Sequence, residues 1–388
     1  MTNLQLPPLA LYIHVPWCIR KCPYCDFNSH VTKEGLLEAE YVDALIEDMR
    51  WEQSHVGDRT VQSIFFGGGT PSLFSDAAIA RILDAAAKHF SFADDIEITL
   101  EANPGTAEAG HFRGYFQAGV NRLSMGVQSL NDGHLKSLGR IHNAAEALAA
   151  YGMARAAGFE NINLDLMYGL PKQSIDEAEA EVEALCGWRP EHISHYQLTL
   201  EPDTAFFHRP PPLPTDDALW DMQQRCQSAL ARHGYEQYEV SAYGRVGQQC
   251  RHNQIYWRFG DYLGIGAGAH GKISSLDASS IGGLRIDRRS RQRLPGRYLA
   301  ADAEGRLDEQ RTLDSSDRLF EFAVNALRLR DGFSRNDFVT TTGLPVDELN
   351  SVFAEGKEKD WLREADGQIK ATETGYRYLN DVLLLFSE

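Results

Sequence analysis

No stretch of this 388-residue chain approaches the ~20 uninterrupted apolar residues that a membrane-crossing helix requires. Its first residues, Met1 to Pro8, carry no basic segment followed by an apolar one, so no secretory signal is read there and a cytoplasmic location is expected. Peripheral contact with a membrane surface stays open. Cysteine is scarce. There are six, and three fall within eight residues, which excludes a disulfide framework for a chain this long and points to metal or redox chemistry in a reducing compartment. Positive charge is short as well: 38 Lys and Arg face 55 Asp and Glu, a net of −17. Nonspecific nucleic-acid binding rests on cations that neutralise phosphates, so no nucleic-acid partner is expected. No internal repeat or low-complexity segment stands out.

What is there reads as a folded protein, 43% hydrophobic and 24% charged, long enough for one large domain plus a smaller one. Short strand-like runs alternate with helical patterns through the first two-thirds. The predicted strands are Leu9 to Val15, Val61 to Phe66, Ile96 to Glu101, Arg122 to Gly126, Asn161 to Met167 and His192 to Leu200. Between them, Tyr41 to His55, Ile79 to Phe90, Ala144 to Ala157, Asp176 to Cys186 and Asp217 to His233 place apolar residues at helical spacing. This alternation predicts an α/β fold, a partial (β/α)6 barrel. Past Arg285 it dissolves into Arg, Gly and Pro. The cations Arg285, Arg288, Arg289, Arg291, Arg293 and Arg297 read as a solvated mobile loop or as a clamp for carboxylates.

From Asp314 a second pattern forms: helices over Arg318 to Leu329, Arg335 to Thr341 and Val346 to Glu355, a two-stranded wing through Gly367, and a final helix over Glu373 to Leu385. That order predicts a small winged-helix-like α+β module. With 9 Lys and Arg against 15 Asp and Glu, it is expected to dock on or cover the barrel rather than bind DNA. The predicted division is a core barrel over 1–240, a motif-bearing region and linker over 241–313, and the module over 314–388.

The strongest chemical signal is Cys18-Ile-Arg-Lys-Cys22-Pro-Tyr-Cys25, directly after the first strand. Spacings of four and three let one tight loop present three thiolates to one iron–sulfur cluster, and the absence of a fourth ligand leaves one iron open to an outside chelator. A zinc site normally closes with four ligands, and buried structural cysteines need no such spacing. Gly67-Gly68-Gly69-Thr70-Pro71 follows the second strand, where missing Cβ atoms let backbone approach a ligand. Glu101, Gln128, Asp165 and Thr199 fall at the ends of successive strands, positions that share one catalytic face in parallel barrels. Each acid alone reads equally well as a helix cap.

These strings resemble the radical S-adenosylmethionine (SAM) superfamily, whose cluster motif is C-x-x-x-C-x-x-C. Within it, Tyr12-Ile-His14-Val-Pro, Gly67-Gly-Gly-Thr-Pro71, Glu101-Ala-Asn-Pro104, Gly126-Val-Gln128 and Gly139-Arg140-Ile-His142 are similar to the oxygen-independent coproporphyrinogen III oxidase group, over essentially the whole chain. The resemblance implies a radical SAM barrel with a 4Fe-4S cluster on Cys18, Cys22 and Cys25 and SAM on the open iron. It implies SAM contacts from Tyr12, Tyr24, Gly68 and Glu101, and a second SAM site at Gly69, Thr70, Gln128, Arg140 and Asp165, with Thr199 a looser match. Glu101 and Asp165 suit ribose hydroxyls, Gln128 bonds in both directions, and Arg140 suits a methionine carboxylate.

Two departures argue against the oxidase itself. Phe27 stands where that enzyme has a further cysteine, and its longer N-terminal arm is missing here. Instead Cys250-Arg-His252-Asn253-Gln-Ile-Tyr256-Trp257 resembles the heme-chaperone branch of the group. That likeness implies heme binding at His252, Asn253, Tyr256 and Trp257, delivery to acceptor proteins such as respiratory heme proteins, and an electron donor for the cluster. An imidazole can ligate heme iron and flat aromatics can carry a macrocycle, although a histidine beside aromatics is more often a hydrogen-bonded core residue. Cys250 is a further candidate ligand, and the arginine run would then clamp propionates. The alternative function is radical decarboxylation of coproporphyrinogen III. The resemblance leaves open whether SAM is cleaved at all.

Overall fold

The computed structural model describes residues 6–32, 35–105 and 110–387. Six strands, β1 (Leu9–Val15), β2 (Thr60–Gly68), β3 (Ser91–Ala102), β4 (Arg122–Gln128), β5 (Ile162–Tyr168) and β6 (His192–Gln197), pair in parallel and in chain order. Helices on the outer face connect them, among them α1 (Glu38–Val56), α2 (Asp76–His89), α3 (Phe112–Ala118), α4 (Ala144–Ala157) and α5 (Ile175–Gly187). Their starts are written into the sequence. Ser75 accepts the Ala78 amide, and Asn143 with Glu146 and Ser174 with Glu177 form reciprocal capping boxes. Each such cap is worth about 1 kcal/mol. The main core lies between strands and helices, where Leu11, Ile13, Ile64, Leu100, Leu123 and Leu164 are fully enclosed. This is the (β/α)6 partial barrel that the alternation predicts.

The sheet does not stop at six strands. After α6 (Asp216–Arg232), strands β7 (Glu236–Glu239) and β8 (Ala242–Gly244) extend it beyond β6. At the other edge β9 (Asp261–Ile265) runs parallel to β1, followed outward by β10 (His270–Leu276), β11 (Leu284–Arg291) and β12 (Leu307–Thr312), for a sheet of twelve strands among the described residues. Arg285, Arg288, Arg289 and Arg291 therefore lie on a strand rather than in the basic loop expected of them, with Arg293 just beyond it and Arg297 on the helix Pro295–Ala300. Arg289 and Arg291 point inward, where Arg291 meets Asp48 and Glu52 of α1 at 2.6 Å and Arg289 meets Glu52 at 2.9 Å, all of them buried. Burial lifts Asp48 to about 6 against the pull of Arg291, and Glu52 is raised as well.

The C-terminal module packs on this added edge. Phe259, Leu284 and Ile286 share a core with Phe322, Phe333, Phe338, Leu349 and Ile369. Buried Arg318 donates to the carbonyls of Leu313, Ile281 and Thr342 across the seam. Helices Ser315–Ala326, Arg335–Thr342 and Val346–Glu358 precede an antiparallel wing, Leu362–Ala365 with Gln368–Ala371. The expected final helix is two short ones, Glu373–Arg377 and Leu379–Leu384, broken at Tyr378 by a non-helical φ of −109° and ψ of 40°.

Candidate functional site

The C-terminal ends of β1 to β6 open into a cavity of about 400 Å³. Cys18, Cys22 and Cys25 line it from the loop after β1. A two-residue parallel bridge, Trp17–Cys18 against His30–Val31, pinches this loop shut, and Lys21 donates to the carbonyls of Phe27 and Ser29. Asn28 fastens it to the sheet edge by donating to Ala267 O and Arg293 O, each at 2.9 Å. Buried His14, held at Asn28 O by a 2.9 Å hydrogen bond, and His142, bonded to Val127 O, are packing residues.

Next to the thiols runs a chain of polar contacts. Arg140 donates to Gly126 O at 2.9 Å, to Asn103 Oδ1 at 2.5 Å and to the Cys22 sulfur at 3.6 Å. Asn103 donates to Thr70 Oγ1 at 3.1 Å, and Thr70 in turn to the Cys18 sulfur at 3.5 Å. Two sulfurs thus receive hydrogen bonds, which favour thiolate and tune an iron–sulfur centre. Without iron, burial dominates and raises the Cys18 and Cys25 thiols.

Two glycines allow the walls to close up. A Cβ on Gly68, whose φ is +114°, would sit 2.6 Å from the His14 ring, and one on Gly69 would sit 2.5 Å from the Trp17 carbonyl oxygen. Gly68 N–H then donates to Glu101 Oε2 at 3.2 Å. Partly buried Glu101, on the cavity wall, is lifted to about 8 by burial and by Asp165, so at neutral pH it holds a proton it can donate. Asp165 rises to about 6 through burial, against the hydrogen bonds of Asn163 and Ser194. Gln128 sits at a register break in β4 with φ of +69°, its Oε1 accepting from Tyr196 OH at 2.7 Å. A left-handed non-glycine residue costs on the order of 1–3 kcal/mol and tends to mark a ligand wall.

Of the residues expected at SAM, Tyr24, Gly68, Gly69, Thr70, Glu101, Gln128, Arg140, Asp165 and Thr199 all line this cavity. Tyr12 does not. It lies behind the glycines, its hydroxyl sharing a 3.0 Å hydrogen bond with His14 and its ring beside Phe65. Sequence reasoning passed over Asn103 and Tyr196. Asn103 stood inside the quoted Glu101-Ala-Asn-Pro104 string, whereas nothing local marks Tyr196.

The donor set fits the implied groups. Three thiols, two of them hydrogen-bonded, face a cavity with acceptors for hydroxyls and a buried guanidinium whose Nε has no partner. Among the described residues no three His, Cys, Asp or Glu are grouped as around a single metal ion.

The Cys250 to Trp257 string is placed elsewhere. Helix α7 (Arg251–Trp257) closes the opposite mouth of the barrel, with Glu97 accepting from the Arg251 and His252 amides and the Cys250 thiol. His252 is 3% exposed, bonded through Nδ1 to Ser63 Oγ at 2.9 Å and stacked on Phe65. Burial and Arg122 lower it to about 3, so it is neutral, and its Nε2 has no partner. Cys250 is buried, and burial pushes its thiol up to about 12. Tyr256 stacks on Tyr262 at 3.9 Å. Asn253 is partly exposed, and Trp257 lines a groove of about 450 Å³ with Phe322, Leu329 and Phe333.

Residues 12–185 match the family model for the radical SAM superfamily. The chain is 46% identical to the heme chaperone HemW of Escherichia coli over 384 residues, 99% of each chain, and 46% identical to that of Haemophilus influenzae over 98% of each. It is also 41% identical, over 68% of this chain and 60% of the other, to the mouse mitochondrial radical S-adenosyl methionine domain-containing protein 1. Among solved structures, coproporphyrinogen III oxidase (HemN) of Escherichia coli superposes with a TM-score of 0.81 at 23% identity, covering 98% of this chain and 90% of that one. That last likeness shows the fold alone.

Proposed function

Because the chain belongs to the HemW heme-chaperone family within the radical SAM superfamily, we propose that it binds heme and hands it to acceptor proteins in the cytoplasm, respiratory heme proteins among them. The observation that carries this reading is the near full-length 46% identity to HemW. Family membership implies a 4Fe-4S cluster and SAM. In our reading Cys18, Cys22 and Cys25 hold the cluster, which when bound supplies one-electron chemistry to SAM on its open iron.

The chain's own residues then have distinct tasks. Arg140 and Thr70 donate to the cluster thiolates and fix the loop. Glu101, protonated near neutral pH, offers a donor as well as an acceptor to a ligand hydroxyl, while Asp165 accepts. Gln128, locked by Tyr196, and Arg140 orient the carboxylate end, and Tyr24 and Thr199 close the wall. Tyr12 acts from behind, by supporting Gly67 and His14.

His252, Asn253, Tyr256 and Trp257 enter as the heme segment, with a division of labour. Trp257 is the side chain that faces a groove, whereas His252 is enclosed, so ligation by its imidazole requires α7 to leave its seat. Titrating the purified protein with heme and then adding an apo-acceptor tests the proposal. Saturable binding followed by transfer is expected; no binding, or binding with no transfer, rejects it. The oxidase alternative would be restored by vinyl product from coproporphyrinogen III under anaerobic conditions with SAM and a reductant.

A further inference from the structure

A line of buried hydrogen bonds runs through the barrel from the cavity to the plug. Its cavity end is Asp165 on β5, which accepts from Asn163 Nδ2 at 2.7 Å. Asn163 stands two residues back on the same face of the strand, and its Oδ1 receives the Nδ1 proton of His192 on β6 at 2.6 Å. Burial keeps His192 neutral, so its Nε2 is an acceptor and takes the Tyr238 hydroxyl of β7 at 2.9 Å. Tyr238 in turn accepts the Cys250 amide at 3.3 Å, and Cys250 is the residue that starts α7. Asn163, His192, Tyr238 and Cys250 are all buried. Every donor therefore points toward Asp165, an order in which each bond polarises the next. Neither the cavity nor the groove at Trp257 is lined by the three middle residues. Buried Arg122 lies within electrostatic reach of Asp165, Tyr238 and Glu97, so the two ends of the line also share one cation.

We infer that Asn163, His192 and Tyr238 are positioning residues that tie the seating of α7 to occupancy of the cavity at Asp165. The inference rests on the proposed SAM and heme sites. A charged Asp165 draws the donors toward it, and through them makes the Tyr238 oxygen a better acceptor for the Cys250 amide. Hydroxyls of a bound nucleoside that donate to Asp165 share that charge. The hold on Cys250 then slackens, and Glu97 alone still grips the Arg251 and His252 amides in the first turn of α7. His252, enclosed while α7 is seated, becomes reachable. The element with two positions is α7, and a filled cavity biases it toward the lifted one. By linkage, heme held at α7 favours SAM in the cavity to the same degree.

The test compares reconstituted wild type with Tyr238→Phe, which keeps the ring and removes the hydroxyl, and with Tyr235→Phe, whose lost hydroxyl donates to Pro190 O away from this line. Two quantities are read with and without SAM: amide hydrogen exchange in the peptide carrying residues 250–257, and heme affinity. On addition of SAM, wild type is expected to exchange faster in that peptide and to bind heme at least about fivefold tighter. Tyr238→Phe should show the faster exchange and the tighter heme binding from the start, with little further response to SAM, while Tyr235→Phe keeps the wild-type response. The inference is overturned if Tyr238→Phe answers SAM as wild type does, if Tyr235→Phe loses the response as well, or if SAM binds wild type and leaves exchange in α7 unchanged. Failure of the underlying readings looks different. Wild type that binds no SAM sinks the cavity reading and the inference with it, whereas wild type that binds no heme sinks the heme reading and leaves the exchange data to decide whether α7 answers the cavity.

Discussion

At the residue scale, the cavity's chemistry is set by burial acting on a few named groups. Glu101 titrates near its ordinary 4.5 when unfolded and about 8 when folded, so the native state keeps a proton that the unfolded chain has shed. The associated stability is fully present below about 4.5 and is lost as pH rises toward 8. Cofactor-free protein is therefore expected to weaken between about pH 5 and 8, and Glu101→Gln to flatten that slope by up to about 3 kcal/mol, read by denaturant unfolding across pH. Parallel slopes would mean the carboxyl is not so perturbed. His252 gives a contrasting case. Its Ser63 bond and its stacking on Phe65 predict that His252→Ala costs about 2–4 kcal/mol through a buried cavity and an orphaned hydroxyl. Trp257→Ala is expected to weaken heme binding with a smaller effect on stability. If heme spectra respond to the histidine while unfolding does not, the enclosed placement is wrong for the functional state.

At the element scale, the parallel strands and their helices were legible because apolar runs and caps are local signals. Ser174 and Glu177 announce α5, and the alternation of β1 is nearly uninterrupted apolar residue, as a doubly covered strand requires. Strands β9 to β12 were not legible. Their inward positions hold Asp261, Lys272, Arg289 and Arg291, which read as loop until partners far away in sequence are known: Arg59 for Asp261, and Asp48 and Glu52 for the arginines. Such a buried network is exposed to loss of one member. Arg291→Met should cost about 3–5 kcal/mol by leaving buried Asp48 without an ion-pair partner beside Glu52, which keeps only Arg289. The double change that also makes Asp48→Asn, and leaves Glu52 to Arg289, should recover much of that cost, as measured by unfolding midpoints; no recovery would show that the arginine's packing matters more than its charge.

At the scale of the whole molecule, the two ends of the barrel have different tasks. One end gathers thiols, glycines and strand-end acids into a single cavity, and most of that site was readable because each member closes a strand. The other end is plugged by α7 on Glu97, a placement that the Cys250 to Trp257 string does not betray, since a stacked core histidine and a ligand histidine share one sequence appearance. Among the described residues no helix is long and apolar enough to cross a membrane.

The central claim is that Cys18, Cys22 and Cys25 hold a cluster with one iron open to SAM. Mössbauer spectroscopy of anaerobically reconstituted protein, before and after adding SAM, addresses it directly. The account predicts close to four irons per chain, one of which changes its signal with SAM, and loss of the whole spectrum in Cys22→Ala. A full complement of iron that ignores SAM, or zinc in place of iron and sulfide, would contradict it.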